Sequence, residues 1–311
     1  MLSTAIVLGP QRRDPSVCDA VDALVPNRRE PVAVVTAGWE EREDEDEELR
    51  EHCNRKVVNL AVWQRVERVF ERDPELLQAM RERHATLRKV QELYRLRLAG
   101  LMEPTRELMR RGDDDPLVRA EQEDAWVLVR GLDDQHTARV AQIHLEFDER
   151  VRPAERDAVL EERRALRREL EGASCLLVAG GHIGVLLHRL RLFDVLASWS
   201  DRPVVAWSAG AMALSERIVL FHDAPPQGSS FAEVMEAGLG LLPGFVALPH
   251  ARHRLQTDDP LRVQMLTRRF GPALCALLDP GSRFDWRDGR WQPRRGSRQL
   301  DRDGLVVEAA P

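Results

Sequence analysis

Lysine is nearly missing from this chain. Lys56 and Lys89 are the only two among 46 basic residues, and arginine supplies the rest, a skew that reads as composition bias. Acidic residues still outnumber basic ones, and the net charge of −6 argues against the basic domain that nucleic-acid binding would call for. Aromatic residues make up only 5% of the chain. No apolar run approaches the ~18 residues of a membrane span. The opening MLSTAIVLGP has neither the basic segment nor the small-residue cleavage site of a secretion signal. A cytoplasmic protein with no membrane or nucleic-acid partner is therefore expected. The four cysteines, Cys18, Cys53, Cys175 and Cys275, lie far apart and form no CxxC pair, so reduced and mostly buried thiols are expected. His250 and His253 are close, but no further ligand at zinc-like spacing accompanies them, and no metal site is expected.

What is present divides the 311 residues into two kinds of sequence. Near-continuous apolar runs at 5–8, 32–36, 175–179, 203–207, 218–221, 245–248 and 274–278 have the pattern of strands buried on both faces. Helical segments such as 185–197 separate several of them, which predicts an open α/β sheet. Residues 40–171 are instead dense in charge, with apolar positions recurring at three and four: Val62, Val66, Val69; Leu87, Val90, Tyr94, Leu98; Val140, Ile143, Phe147, Val151. Helix ends are predicted at Asp73-Pro74, Glu103-Pro104, Asp115-Pro116 and Arg152-Pro153. The chain thus reads as an α/β core (1–40 and 172–311) carrying a helical insertion (41–171). Narrow apolar faces on the insertion make a homodimer an expectation.

The chemistry concentrates in VVAWSAGAMAL, residues 204–214, where an apolar strand runs into a serine among small residues and then into a helix. A nucleophile elbow needs small neighbours because the backbone doubles back there; Ala206 and Gly210 provide the room. Ser208 then sits at a helix N-terminus, and the N–H of Ala209 can supply half of an oxyanion hole. A plain helix cap fits the motif equally well. Gly180-Gly181-His182 follows another strand, where glycines let N–H groups approach a reacting carbonyl closely. A tight βα turn would look the same. Among nine histidines, His250 ends the run 245–249 and so falls at a strand's carboxyl end, the edge at which open α/β sheets bind ligands. His182 and His222 compete by position; His52, His84, His136 and His144 lie in the insertion. Asp223 and Asp279 both follow strands and could orient an imidazole.

In order along the chain, Gly180-Gly181, Trp207-Ser208-Ala209-Gly210-Ala211 and the LGLLPGFVALPH segment ending at His250 resemble the serine peptidase family of dipeptidase E and cyanophycinase. The likeness covers the two ends of the chain. It implies a flavodoxin-like, mostly parallel sheet, as in class I glutamine amidotransferases, with serine in place of cysteine. It further implies Ser208 as nucleophile, His250 as base, the N–H groups of Gly181 and Ala209 as the oxyanion hole, and no cofactor. Asp223 falls at the dipeptidase E-like offset; Asp279 stands where cyanophycinase-like members carry a late acidic residue. The implied substrate is a small acidic peptide or isopeptide, contacted by Gly180, His182, Arg252 and Arg254. Surface pairs with Asp258 or Asp259 would account equally for the two arginines. The helical insertion, His182 in place of a polar amide or acid, and Ala206 in place of a frequent glycine depart from the family pattern. A catalytically silent binding protein whose insertion forms a partner surface is the alternative. An amidotransferase would need a cysteine at the elbow, and Cys175 and Cys275 lie elsewhere.

Overall fold

The computed structural model describes residues 2–12, 15–112, 114–197, 199, 202–222 and 231–309. Five apolar segments pair in parallel at its centre: β1 (Thr4–Leu8), β2 (Val32–Val35), β3 (Val57–Asn59), β4 (Cys175–Val178) and β5 (Val204–Trp207). Alternate residues face opposite ways and both faces are covered. Ile6, Leu8, Val205 and Trp207 pack with Val17, Ala20 and Val21 of α1 (Val17–Leu24). Ala5, Val7, Val204 and Ala206 pack on the other side into the main core. Double burial explains why these strands read as continuous apolar runs.

Beyond β5 come β6 (Arg217–Leu220) and β7 (Glu233–Ala237), an antiparallel pair, then β8 (Phe245–Pro249) and β9 (Leu274–Leu278), which are parallel. Four strands follow: β10 (Arg283–Arg287), β11 (Arg290–Pro293), β12 (Arg298–Leu300) and β13 (Val306–Glu308). The large sheet has the order β11-β10-β1-β5-β4-β2-β3, its last-added strands β10 and β11 running antiparallel; a second sheet has the order β13-β12-β9-β8. The architecture is mixed α/β with a mostly parallel central sheet and a long helical region. Sequence patterning predicted one sheet, whereas β8 and β9 belong to the second. The chain passes between the two sheets in the short turn from β9 to β10.

Within the interval predicted as a helical insertion, α2 (Glu47–Cys53) and α3 (Val62–Arg72) flank β3, which joins the large sheet as an edge strand. Helix α6 (Asp157–Glu171) returns along α3, tied to it by Arg65 with Glu162 and Glu169. What projects is a hairpin of two long helices, α4 (Pro74–Arg110) and α5 (Pro116–Val151). Asp73 and Asp115 cap them, accepting from the N–H groups of Leu76 and Leu117, each with proline at the first helical position. Glu103-Pro104 does not end a helix, contrary to expectation; α4 runs through Pro104. Met102, Thr105 and Met109 are buried on either side of it, and the Thr105 hydroxyl bonds the Leu101 carbonyl, so packing and a local hydrogen bond offset the one lost by proline.

Helices α7 (Ile183–Phe193) and α8 (Ala209–Leu214) follow β4 and β5; α9 (Ala251–Arg254) and α10 (Pro260–Phe270) connect β8 to β9. The hairpin is anchored by Tyr94, Leu98, Met102, Trp126 and Leu132, which share a core with β7, β8, β9 and α10. No helix among the described residues is long and apolar enough to cross a membrane.

Candidate active site

Backbone crowding at the carboxyl ends of β2, β4 and β5 builds the site. Ser208 takes φ 50°, ψ −119° at the turn from β5 into α8, a conformation that costs a non-glycine residue about 1–3 kcal/mol and persists only when its surroundings impose it. Those surroundings are tight. A Cβ on Gly210 would lie 2.1 Å from the Val178 carbonyl oxygen, and one on Gly180 would lie 2.9 Å from the Ser208 Cβ and 3.4 Å from the Ala209 nitrogen. Gly181 has φ +116°, and a Cβ there would meet the Gly38 carbonyl oxygen at 2.2 Å. The Gly38 carbonyl in turn accepts the N–H of His182 at 2.7 Å. Glycine is thus required where three strand ends meet.

The Ser208 N–H is turned toward the Leu8 carbonyl, 3.4 Å away, whereas the Ala209 N–H opens the first turn of α8, where no earlier helical carbonyl can accept it. The N–H of Gly181 makes no hydrogen bond among the described residues. Two donors from adjacent strand ends therefore flank the serine, with the dipole of α8 behind them.

His250 lies at the end of β8 in the left-handed region (φ 58°, ψ 35°), half-buried, its N–H bonded to the Leu278 carbonyl. It reaches the Ser208 end of the molecule through β9 and not through the large sheet. Asp279 follows β9, and its carbonyl oxygen lies so near Gly9, which follows β1, that a Cβ on Gly9 would approach it to 1.8 Å; β1 is the neighbour of β5. Helix α8 also packs on both β5 and β8. The ends of β5, β1, β9 and β8 thus run side by side. No hydrogen bond joins Ser208 to His250 among the described residues. Burial pushes the His250 pKa below the ordinary histidine value, with repulsion from Arg254 and His253 adding to it and Asp279 opposing.

Asp279 is buried and engaged elsewhere: one carboxylate oxygen accepts the Arg252 N–H at 3.0 Å and the other accepts from Arg298 at 2.9 Å. It pins the first turn of α9 and so fixes where His250 stands. Asp223 lies outside the described residues. Arg252 approaches Asp279 at 3.7 Å, not Asp258 or Asp259, while Arg254 is exposed with no ion-pair partner among the described residues. His182 caps α7, its ring accepting from the Val185 N–H at 3.2 Å.

No family model matches the chain, and no curated protein does. Among solved structures it is similar to one described as a peptidase from an acI-B1 Actinobacterium, with 14% identity and a TM-score of 0.48 over 100% of this chain and 95% of that one. Activity has to be argued from the site itself.

Burial pushes the Cys175 and Cys275 thiols up to about 12, which keeps both protonated and unreactive near neutrality. A constellation that the sequence did not reveal lies near α7. Glu236 of β7, buried, accepts from His144 of α5 and His188 of α7, each at 2.9 Å, and from Arg191. The two imidazoles and the carboxylate form a donor set that could hold a metal ion, all within 4.8 Å of one another. Arg191, however, already neutralises the carboxylate and comes within 3.5 Å of His144, so a dication there would have to displace a guanidinium. The group is better described as a charge network joining the hairpin to the core.

Proposed function

We propose that the protein is a serine hydrolase that cleaves an amide bond in a peptide or isopeptide, on a flavodoxin-like core of the dipeptidase E and cyanophycinase kind. The observation that carries this reading is the forced backbone of Ser208 at the strand-to-helix turn, next to two N–H groups on neighbouring strand ends. In the proposed reaction Ser208 Oγ attacks the carbonyl carbon while His250 takes the hydroxyl proton. The N–H groups of Gly181 and Ala209 hold the developing oxyanion. Collapse breaks the C–N bond, and His250 returns the proton to the departing nitrogen. Water then attacks the acyl ester, giving its proton to His250 and restoring serine as the acid product leaves. The depressed His250 pKa supports this role, since a base must be unprotonated near neutrality. Asp279 acts as a positioning residue through the Arg252 N–H; Asp223 is the other candidate for the acid.

A second reading, a catalytically silent binding protein, is favoured by the missing Ser208–His250 hydrogen bond, although such contacts often tighten only when substrate binds. Labelling with a fluorophosphonate probe separates the two. Covalent labelling lost in Ser208→Ala and slowed strongly in His250→Gln is expected; labelling of wild type at the same slow rate as Ser208→Ala would refute the hydrolase.

A further inference from the structure

The hairpin helix α4 does not lie flat on the core. A cleft of about 720 Å³ remains between it, α7 and the β6–β7 pair, a size that suits a small organic ligand. Its walls are apolar on both sides: Leu77, Met80 and Leu87 from α4 face Ile183, Val185 and Met235 from the core. Its charge is one-sided. Arg81, Arg83, Arg88 and Arg189 line it, and the single lining carboxylate, Glu236, is already taken by two histidines and Arg191. Arg189 is paired with Glu67.

Arg83 is the unusual member. It has no hydrogen bond or ion pair among the described residues, its Nε is buried without a partner, and its guanidinium lies 4.1 Å above the Phe147 ring. Stacking on a ring face holds the group but leaves its in-plane N–H donors unused. A half-buried cation whose buried Nε–H is unmet can gain by pairing with an anion. His182 lines the same cleft, and it follows Gly181 directly, so the cleft opens beside the proposed oxyanion donors.

We infer that this cleft binds a ligand with a bulky apolar body and one anionic group, with Arg83 as the anchor for the charge. Resting on the hydrolase reading, that ligand is one half of the scissile amide, an apolar residue or acyl group bearing a carboxylate. Carboxylate recognition is thereby assigned to the hairpin and not to Arg252, whose guanidinium faces Asp279.

Fluorescence titration with two probes tests this. One is 8-anilino-1-naphthalenesulfonate; the other is N-phenyl-1-naphthylamine, the same apolar body without the charge. Wild type and Ser208→Ala should both bind the sulfonate roughly tenfold or more tightly than the neutral amine, the scale of one charge-assisted contact. Arg83→Met should bring the sulfonate to the level of the amine while leaving the amine unchanged. Met80→Trp, which fills the cleft from α4, should weaken both and covers the case in which Arg83→Met fails to fold. Equal affinities of wild type for the two probes, or a sulfonate affinity in either variant as tight as that of wild type, would overturn the assignment. Because Ser208→Ala retains the cleft, failure of the hydrolase reading leaves the dye result standing. With a serine-dependent peptide substrate in hand, Arg83→Met should raise KM and spare kcat.

Discussion

Replacing Arg269 tests whether the hairpin is locked to the core by one buried ion pair. Its guanidinium, 1% exposed, gives two bonds of 2.7 Å to the Asp133 carboxylate, itself 0% exposed, one of 2.7 Å to the Tyr94 hydroxyl and one of 2.6 Å to the Ala232 carbonyl. Tyr94 and Asp133 belong to the hairpin, Arg269 to α10. Arg269→Met keeps the volume and strands Asp133 in the core, which should cost about 3–5 kcal/mol. At roughly 2–4 °C per kcal/mol for a large domain, the melting temperature should fall by some ~6–20 °C. Arg269→Met with Asp133→Leu removes both charges. Only the Ala232 carbonyl and the Tyr94 hydroxyl then lose partners, at about 1 kcal/mol each, so the double variant should recover more than half of the loss. Urea unfolding monitored by circular dichroism measures both. A single variant within about 0.5 kcal/mol of wild type, or a double variant no more stable than the single one, would refute the claim that an uncompensated charge sets the cost.

Two further outcomes concern the site. The rate of fluorophosphonate labelling should be flat above the lowered His250 pKa and fall as pH drops through it, at a pH below the usual ~6.5 of histidine. Arg254→Gln removes one repulsive charge, so the acid limb should move to higher pH, and a limb that stays put would exclude His250 as the titrating base. Gly38→Ala places a Cβ 2.6 Å from the Gly180 carbonyl oxygen, which should destabilise by about 1–3 kcal/mol and slow labelling roughly tenfold or more by shifting Gly181. Unaltered labelling by a folded Gly38→Ala protein would argue against Gly181 as a donor.

The parallel strands were legible because burial on both faces writes an uninterrupted apolar run, and Ser208 was legible because the turn demands small neighbours at 206 and 210. The hairpin of β10 and β11 carried a readable signal, Asp288-Gly289, both at positive φ, but flanking arginines masked its alternation. Strand β3 is three residues long, too short for any period to show. Proline at 104 suggested a helix end, and only the burial of Met102, Thr105 and Met109 around it decided otherwise. The Glu236 network could not be read in advance, since its carboxylate, two imidazoles and guanidinium come from three elements; the spacing of His188 and Arg191 along one helix face was its sole local trace. Arg83 was likewise one arginine among many until its lack of a partner became visible.

The turn from β9 to β10 gives the molecule a mechanical property. Ser208 is mounted on one plate and His250 on another, and residues 279–282 link the two, held by the Gly9 N–H on the Ser282 carbonyl at 3.0 Å. On the proposed chemistry, the gap between nucleophile and base is then a function of the angle between plates. Lengthening that turn by one residue would shift Phe245, Ala247, Ala276 and Leu278 against the core they share with β1, β4 and β5, so the reaction would be detuned and the packing loosened together.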